Sequence, residues 1–252
     1  MRKILIIGIG AGDPDYITVQ AINALNEVDV FFVIDKGEEK DDLVALRKLL
    51  CEKYIREPGY RIVEARDPER ARKASAYEAA VEDWYEKRAL IFEKMMLEEL
   101  AEDGCGGFLV WGDPTLYDST IRIVELIRAR GKVEFEHEVI PGISSVQALV
   151  ARHRLPINRI GEAIHITTGR KLAEGLPEGV TNAVVMLDSQ NAFRLADPEA
   201  EIYWGAYIGT ANEILISGKL KDVGAAIEAT RAAARETHGW IMDTYLLRYP
   251  RK

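Results

Sequence analysis

Residues 3–9, KILIIGI, form an unbroken apolar run rich in β-branched side chains. A strand with one wet face alternates; a continuous run of this length suits a strand covered on both faces. The same texture returns at 29–35 (DVFFVID) and 107–112 (GFLVWG), with shorter strand-like runs at 61–66 (RIVEAR) and 135–140 (FEHEVI). Between these runs the period lengthens to that of a helix. After Thr18 the apolar residues fall at 19, 22, 25 and 28, and Thr18 can cap the first turn. Residues 41–55 are amphipathic, and 119–131 (STIRIVELIRARG) predict a helix capped by Asp118 or Ser119 and ended by Gly131. Residues 74–101 predict a long amphipathic helix with Tyr77, Val81, Trp84, Tyr85, Ala89, Phe92, Met96 and Leu100 as its core stripe. A further helix is expected from Ser145.

Strand and helix thus alternate as far as about residue 139, which implies βαβ units and a parallel sheet. Beyond about residue 160 the texture changes. Strand-like pieces at 163–169, 182–188, 201–209, 213–220 and 240–248 are interrupted by helical pieces only near 191–195 and at 222–236. That pattern predicts a mixed sheet. The expected division is an α/β domain over 1–139 and a mixed α/β domain over 140–252.

Composition narrows the function. The 252 residues are nearly half apolar, enough for a sizeable core. A net charge of −8 and a pI near 5.2 exclude a general nucleic-acid or anionic-membrane binder, which needs a basic face. No apolar run has the length of a membrane span. The N-terminal run is short for a signal peptide, and Asp13-Pro14 follows it. Cys51 and Cys105 show no metal spacing and fit a reducing, cytoplasmic compartment. His137, His153, His165 and His238 are scattered, so no metal is expected.

Three strands end in special turns: GIGAGDP, WGDP and IPGISS. Strand carboxyl ends face the ligand crevice of an open α/β sheet. Glycine allows close backbone approach and positive φ, and proline stiffens the chain, so these turns are expected to aim their main chain at a ligand. Gly8-Ile9-Gly10 raises the question of a dinucleotide site. Asp13 stands where the third glycine of that fingerprint belongs, and Pro14 delays the helix, so the pyrophosphate would meet no helix N-terminus. No Gly-Lys-Ser/Thr occurs, which excludes a P-loop. Ser144 and Ser145 lack the Gly-x-Ser-x-Gly context of an acyl-transfer nucleophile and read as caps or ligand contacts.

The stretches GIGAGDPDYIT, GDPTLYDS and VIPGISSVQA, taken together and in this order, resemble the three signature loops of the tetrapyrrole (corrin/porphyrin) methyltransferases. The resemblance covers nearly the whole chain. It implies a two-domain tetrapyrrole methylase-like α/β fold, with a parallel-rich first sheet, a mixed second sheet and S-adenosylmethionine in the cleft between the domains. It also implies a homodimer. Segments such as EVIPGISSVQALVARHRLPINRIGEAIHITTGRKL and GWIMDTYLLR are similar to the branch that methylates precorrin-5 at ring carbon 1 and releases the carbon-20 acetyl group as acetate. A related methylase with another ring position or substrate is the alternative, and a non-catalytic ligand-binding protein of the same fold is a third reading.

Residue by residue, the resemblance assigns Gly112, Asp113 and Leu116 to the cofactor, with Ser144, Ser145, Met186 and Leu187. Ala206, Ile241 and Pro14 join them. Many family members carry Met-Gly after the strand-like run 182–186 (NAVVM), whereas here Leu187-Asp188 follows Met186, so Asp188 could face substrate or the cofactor amine. Deacetylation needs a group that moves protons. Asp35, Asp113, Tyr117 and Asp188 are of the right type; Asp113 reads better as a cap, leaving Tyr117 and Asp35 as the acid/base candidates. A polycarboxylate substrate needs local positive charge, and Arg152, Arg154, Arg159, Arg170 and Lys171 form the expected basic rim.

Overall fold

The N-terminal apolar run becomes β1 (Arg2–Gly8). It lies between β4 (Cys105–Val110) and β5 (Phe135–Ile140) in a five-stranded sheet of order β3-β2-β4-β1-β5, with β2 at Val30–Asp35 and β3 at Arg61–Arg66. All pairings are parallel. The computed structural model describes residues 1–35, 41–68 and 77–250; the side chains of residues 35, 41–45, 77 and 78 lie outside that description.

The unbroken apolar run has a physical cause in this sheet. Ile4 and Ile6 face the helices α3 (Tyr77–Glu99) and α4 (Thr120–Arg130), meeting Phe92, Met96, Ile123 and Ile127. Leu5 and Ile7 face α1 (Val19–Leu25) and α2 (Asp41–Tyr54), meeting Ala21, Leu25, Leu50 and Cys51. Each such burial contributes about 1.5–3 kcal/mol, so neither face tolerates a polar residue. The α3 stripe is as read at Ala89, Phe92, Met96 and Leu100, while Tyr77 falls among the side chains not described. Thr18 caps α1, its hydroxyl oxygen accepting from Ala21 N at 3.0 Å. Of the two caps proposed for α4, Asp118 supplies the bond, accepting from Thr120 N at 2.7 Å, and Gly131 ends the helix at φ +66°.

The second sheet has the order β6-β7-β10-β8-β9. Its strands are β6 (His165–Thr168), β7 (Asn182–Met186), β8 (Glu201–Ala206), β9 (Ile214–Lys219) and β10 (Asp243–Arg248). β6 and β7 run parallel and the other pairings are antiparallel, giving the mixed sheet expected. α7 (Leu220–His238) covers a core of Phe193, Ile202, Trp204, Tyr245 and Leu247, and α5 (Ser145–Arg152) packs on β8 and β10. Two local expectations change. The piece near 191–195 is a 3-10 turn, Ala192–Leu195, and a short helix α6 (Gly169–Glu174) follows β6 over residues for which no helix is expected.

Contacts divide the described chain into two compact units. One is Met1–Gly10 with Pro14–Ile143; the other begins at Ser144 and includes Ala11–Asp13. Ala11–Asp13 joins the second because Gly12 lies against it: a Cβ there would come 2.4 Å from Ile208 O. No described helix is long and apolar enough to cross a membrane.

Candidate functional site

In the first unit, the parallel register sets Gly8 beside Val110 and Ile7 beside Ile140. The turns after β1, β4 and β5 therefore leave from one edge of the sheet, where open α/β sheets bind ligands. Main chain ties these turns together. Gly112 N donates to Gly10 O at 2.8 Å, and Gly10 N donates back to Gly112 O at 3.3 Å. A Cβ on Gly142 would lie 2.1 Å from Gly112 O, and one on Gly8 would lie 2.6 Å from Gly142 N. Glycine is needed because backbone meets backbone.

Asp113 closes this knot. One carboxylate oxygen accepts from Gly142 N at 2.9 Å; the other accepts from Thr115 N at 2.8 Å and from the Thr115 hydroxyl. Burial works against its ionisation, but the Thr115 hydroxyl and the Gly142 and Thr115 amides outweigh burial and hold the carboxyl below its ordinary range. The turns were expected to point their amides at a ligand. Those of Gly10, Gly112, Thr115, Leu116 and Gly142 bond instead within the turns, so the stiffness arises from the turns holding one another.

The other first-unit candidates gather around the knot unevenly. Pro14 opens a 3-10 turn, Pro14–Tyr16, and its carbonyl accepts from the Tyr54 hydroxyl of α2 at 3.3 Å. Leu116 is half-buried. Tyr117 takes a left-handed φ of +53°, unusual for a bulky residue, and is 47% exposed. Partial burial pushes its phenol up, so the hydroxyl stays protonated at neutral pH. Asp35 ends β2, and its side chain lies outside the described residues. Sequence reading passed over Arg47: from α2 its guanidinium donates to Leu109 O at 3.1 Å, near the carboxyl end of β4. One cation on an amphipathic helix gives no distinguishing signal.

In the second unit, Met186 pairs with Thr244, Thr244 with Gly205, and Asp243 with Ala206. Met186, Leu187, Ala206 and Ile241 therefore meet at one end of that sheet. Tyr207 N also donates to Met242 O at 2.9 Å. Leu187 is 64% exposed with φ +54°, a conformation that costs on the order of 1 kcal/mol for a residue with a Cβ. Ser144 caps α5, accepting from Val146 N at 3.1 Å, and Ser145 begins the helix.

Asp188 is held inside the second unit. It is 5% exposed, and its carboxylate accepts from Gln190 N at 2.9 Å and from Ala192 N and the Tyr245 hydroxyl, each at 2.7 Å. A Cβ on Gly169 would lie 2.5 Å from that carboxylate, so the missing side chain at Gly169 makes room for it. Asp188 braces the turn after β7. From α7, Arg231 donates to Asp188 O and Asn191 Oδ1 and pairs with Asp243, its Nε lying 2.7 Å from that carboxylate. Trp204 Nε1 adds a bond to Asp243 at 2.8 Å. Asp243 and Tyr245, polar groups in an apolar strand, were the legible signal of this network; Arg231 in its Ala-rich helix carried none.

The expected basic rim is largely matched by nearby acceptors. Arg152 pairs with Glu213 at 2.6 Å, Lys171 with Glu174 at 2.6 Å, and Arg159 donates to Tyr249 O at 3.0 Å. Arg154 stands at φ +58°, and Arg170 is exposed. No group of His, Cys, Asp or Glu among the described residues could hold a metal ion.

A parallel sheet whose strand ends are knotted through glycine turns, followed by a mixed sheet, defines a class: the chain belongs to the tetrapyrrole (corrin/porphyrin) methylases, whose family pattern matches residues 3–224. Within that class it is 55% identical over 249 residues to the precorrin-6A synthase (deacetylating) of Sinorhizobium sp, spanning 98% of this chain and 95% of that one. The crystal structure of the cobalamin-synthesis-related protein CobF from Corynebacterium diphtheriae matches with a TM-score of 0.86 at 42% identity, covering 98% of each chain. The fold is shared more distantly by uroporphyrin-III C-methyltransferase of Thermus thermophilus, solved with S-adenyl homocysteine, at a TM-score of 0.57 and 19% identity over 98% of this chain and 97% of that one.

Proposed function

We propose that this protein is an S-adenosylmethionine-dependent C-methyltransferase of cobalamin biosynthesis, converting precorrin-5 to precorrin-6A by methylation at ring carbon 1 with release of acetate. The observation that carries the reading is the near-full-length likeness to a deacetylating precorrin-6A synthase.

The residues available fit the cofactor's chemistry. Pro14, Leu116, Met186, Leu187, Ala206 and Ile241 offer apolar side chains, while Gly112 adds no side chain to its turn. Asp113 and Ser144 have their oxygens engaged in the turns they brace, and Ser145 heads a helix. S-adenosylmethionine, when bound, supplies an electrophilic methyl group whose sulfonium charge disappears during transfer. A carboxylate against the sulfur would stabilise the ground state and slow the step, and this residue set brings no unengaged carboxylate. The chain's work is alignment of the ring carbon and exclusion of water. For acetate release, the protonated Tyr117 hydroxyl suits a proton donor to the acetyl oxygen. Asp35, by type and by its place at the end of β2, is proposed as the base that activates water.

Incubation with methyl-labelled S-adenosylmethionine and precorrin-5 tests the reading. One labelled methyl at ring carbon 1 and one acetate per pigment are expected, by mass spectrometry, NMR and acetate assay. Label at another carbon, or methylation without acetate, makes the protein a related methylase with a different target. Calorimetry that found NADH bound and S-adenosylmethionine not bound would overturn the proposed activity. Tyr117→Phe should slow acetate release at least about tenfold and leave cofactor affinity unchanged. A homodimer in the cytoplasm belongs to the same proposal, and light scattering should give twice the 28.2 kDa chain mass.

A further inference from the structure

We propose that Arg231, remote in sequence from every signature turn, is a positioning residue for the cofactor: it holds the turn after β7 and the entry to β10 in the shape that Met186, Leu187 and Ile241 need. This rests on the cofactor reading above.

The argument is geometric. Arg231 projects from α7 and uses its guanidinium in three directions. It donates to the main-chain carbonyl of Asp188, to Asn191 Oδ1 and to both carboxylate oxygens of Asp243, the last at 2.7 and 3.1 Å. Its side chain is 11% exposed and that of Asp243 is 4% exposed, so the ion pair is little screened by water. Asp188 directly follows Leu187, and Asp243 begins β10 two residues after Ile241. One guanidinium thus ties together two segments that carry proposed cofactor contacts.

Both ends of the tied turn are strained. Leu187 and Asn191 hold left-handed φ of +54° and +57°, which persist only where surrounding bonds over-determine them. The Asp188 carboxylate already secures Gln190, Ala192 and Tyr245, so the turn has a scaffold without Arg231. What Arg231 adds is a second link to β10, at its first residue, Asp243, next to the segment that carries Ile241. Lysine cannot replace it, because an ammonium on a flexible stem lacks the planar fork that reaches three acceptors at once.

The test compares Arg231→Lys, which keeps the charge and loses the fork, with Asn191→Gly. The latter removes one Arg231 acceptor while keeping a left-handed backbone easy. Arg248→Lys serves as the control: Arg248 is a buried arginine at the far end of β10, bonded to Pro156 O. Calorimetry and steady-state kinetics are run on the full chain below its melting temperature. Arg231→Lys is expected to raise the Kd and KM for S-adenosylmethionine roughly tenfold, and Asn191→Gly about threefold. The KM for precorrin-5 and kcat at saturating cofactor should stay within about twofold. Arg248→Lys should lower the Tm and leave cofactor affinity alone. Cofactor affinity unchanged in Arg231→Lys and Asn191→Gly, or weakened equally by Arg248→Lys, overturns the inference while the proposed function stands. A wild-type protein that fails to bind S-adenosylmethionine overturns both.

Discussion

Gly142 illustrates what one residue can decide. Any side chain there would collide with the carbonyl of Gly112, a backbone group that cannot swing aside. Gly142→Ala should therefore cost about 2–3 kcal/mol in a urea melt, whereas Gly59→Ala, with open space around it, should change stability by less than about 0.5 kcal/mol. Asp113 gives the knot a pH dependence. Its carboxyl is held below the ordinary value of 3.8, so its contribution is fully present above that value and fades as pH falls through the lower folded value. Thermal melts should show Asp113→Asn less stable than wild type at pH 7, with the gap narrowing as pH falls below 3.8. Neither role could be read from the sequence. Gly-Asp-Pro announces a tight turn, but not the partner 29 residues away that the carboxylate holds.

Among the elements, strands with both faces covered and helices with strong caps were legible, because period and capping are local properties. β1, β2 and α1 follow their apolar patterns and caps closely. Short elements were not legible: six residues of α6 hold too few turns for a period to show, and the 3-10 turn after Asn191 is set by its bonds to Asp188 and Arg231. The cysteines report on the integrity of these elements. Cys51 on α2 and Cys105 on β4 are pushed up to about 11, mainly by burial, so both are neutral thiols at physiological pH. A thiol reagent at pH 8 should leave both essentially unlabelled in the native protein and modify both in guanidinium chloride. Rapid native labelling of Cys51 would mean that α2 is not seated on the sheet as described.

For the whole molecule, the balance of charge matters most. If the proposed substrate is a polycarboxylate tetrapyrrole, a chain of net charge −8 must attract it locally against an unfavourable overall field. The arginines and lysines after the third signature turn looked sufficient as a sequence cluster. With Arg152 and Lys171 paired to Glu213 and Glu174, the cluster presents less positive charge than its composition suggests. Arg170, exposed within that group, is the position at which charge reversal tests the rim. Arg170→Glu should raise the KM for the tetrapyrrole about threefold or more, without changing the Kd for S-adenosylmethionine. The difference should shrink as ionic strength rises, since salt screens exposed charges.

The sequence by itself determined the parallel and mixed sheets, most helix limits, the glycine turns and, through the pattern of those turns, the family. These rest on interactions among near neighbours and on apolar periodicity, both written directly in residue order. Tertiary structure alone decided that the turns bond to one another, that Asp188 is a brace, and that Arg231 meets a carbonyl 43 residues away. A carboxylate or guanidinium has the same letter whether it faces solvent, substrate or a distant turn, and only folding supplies the partner that fixes its role.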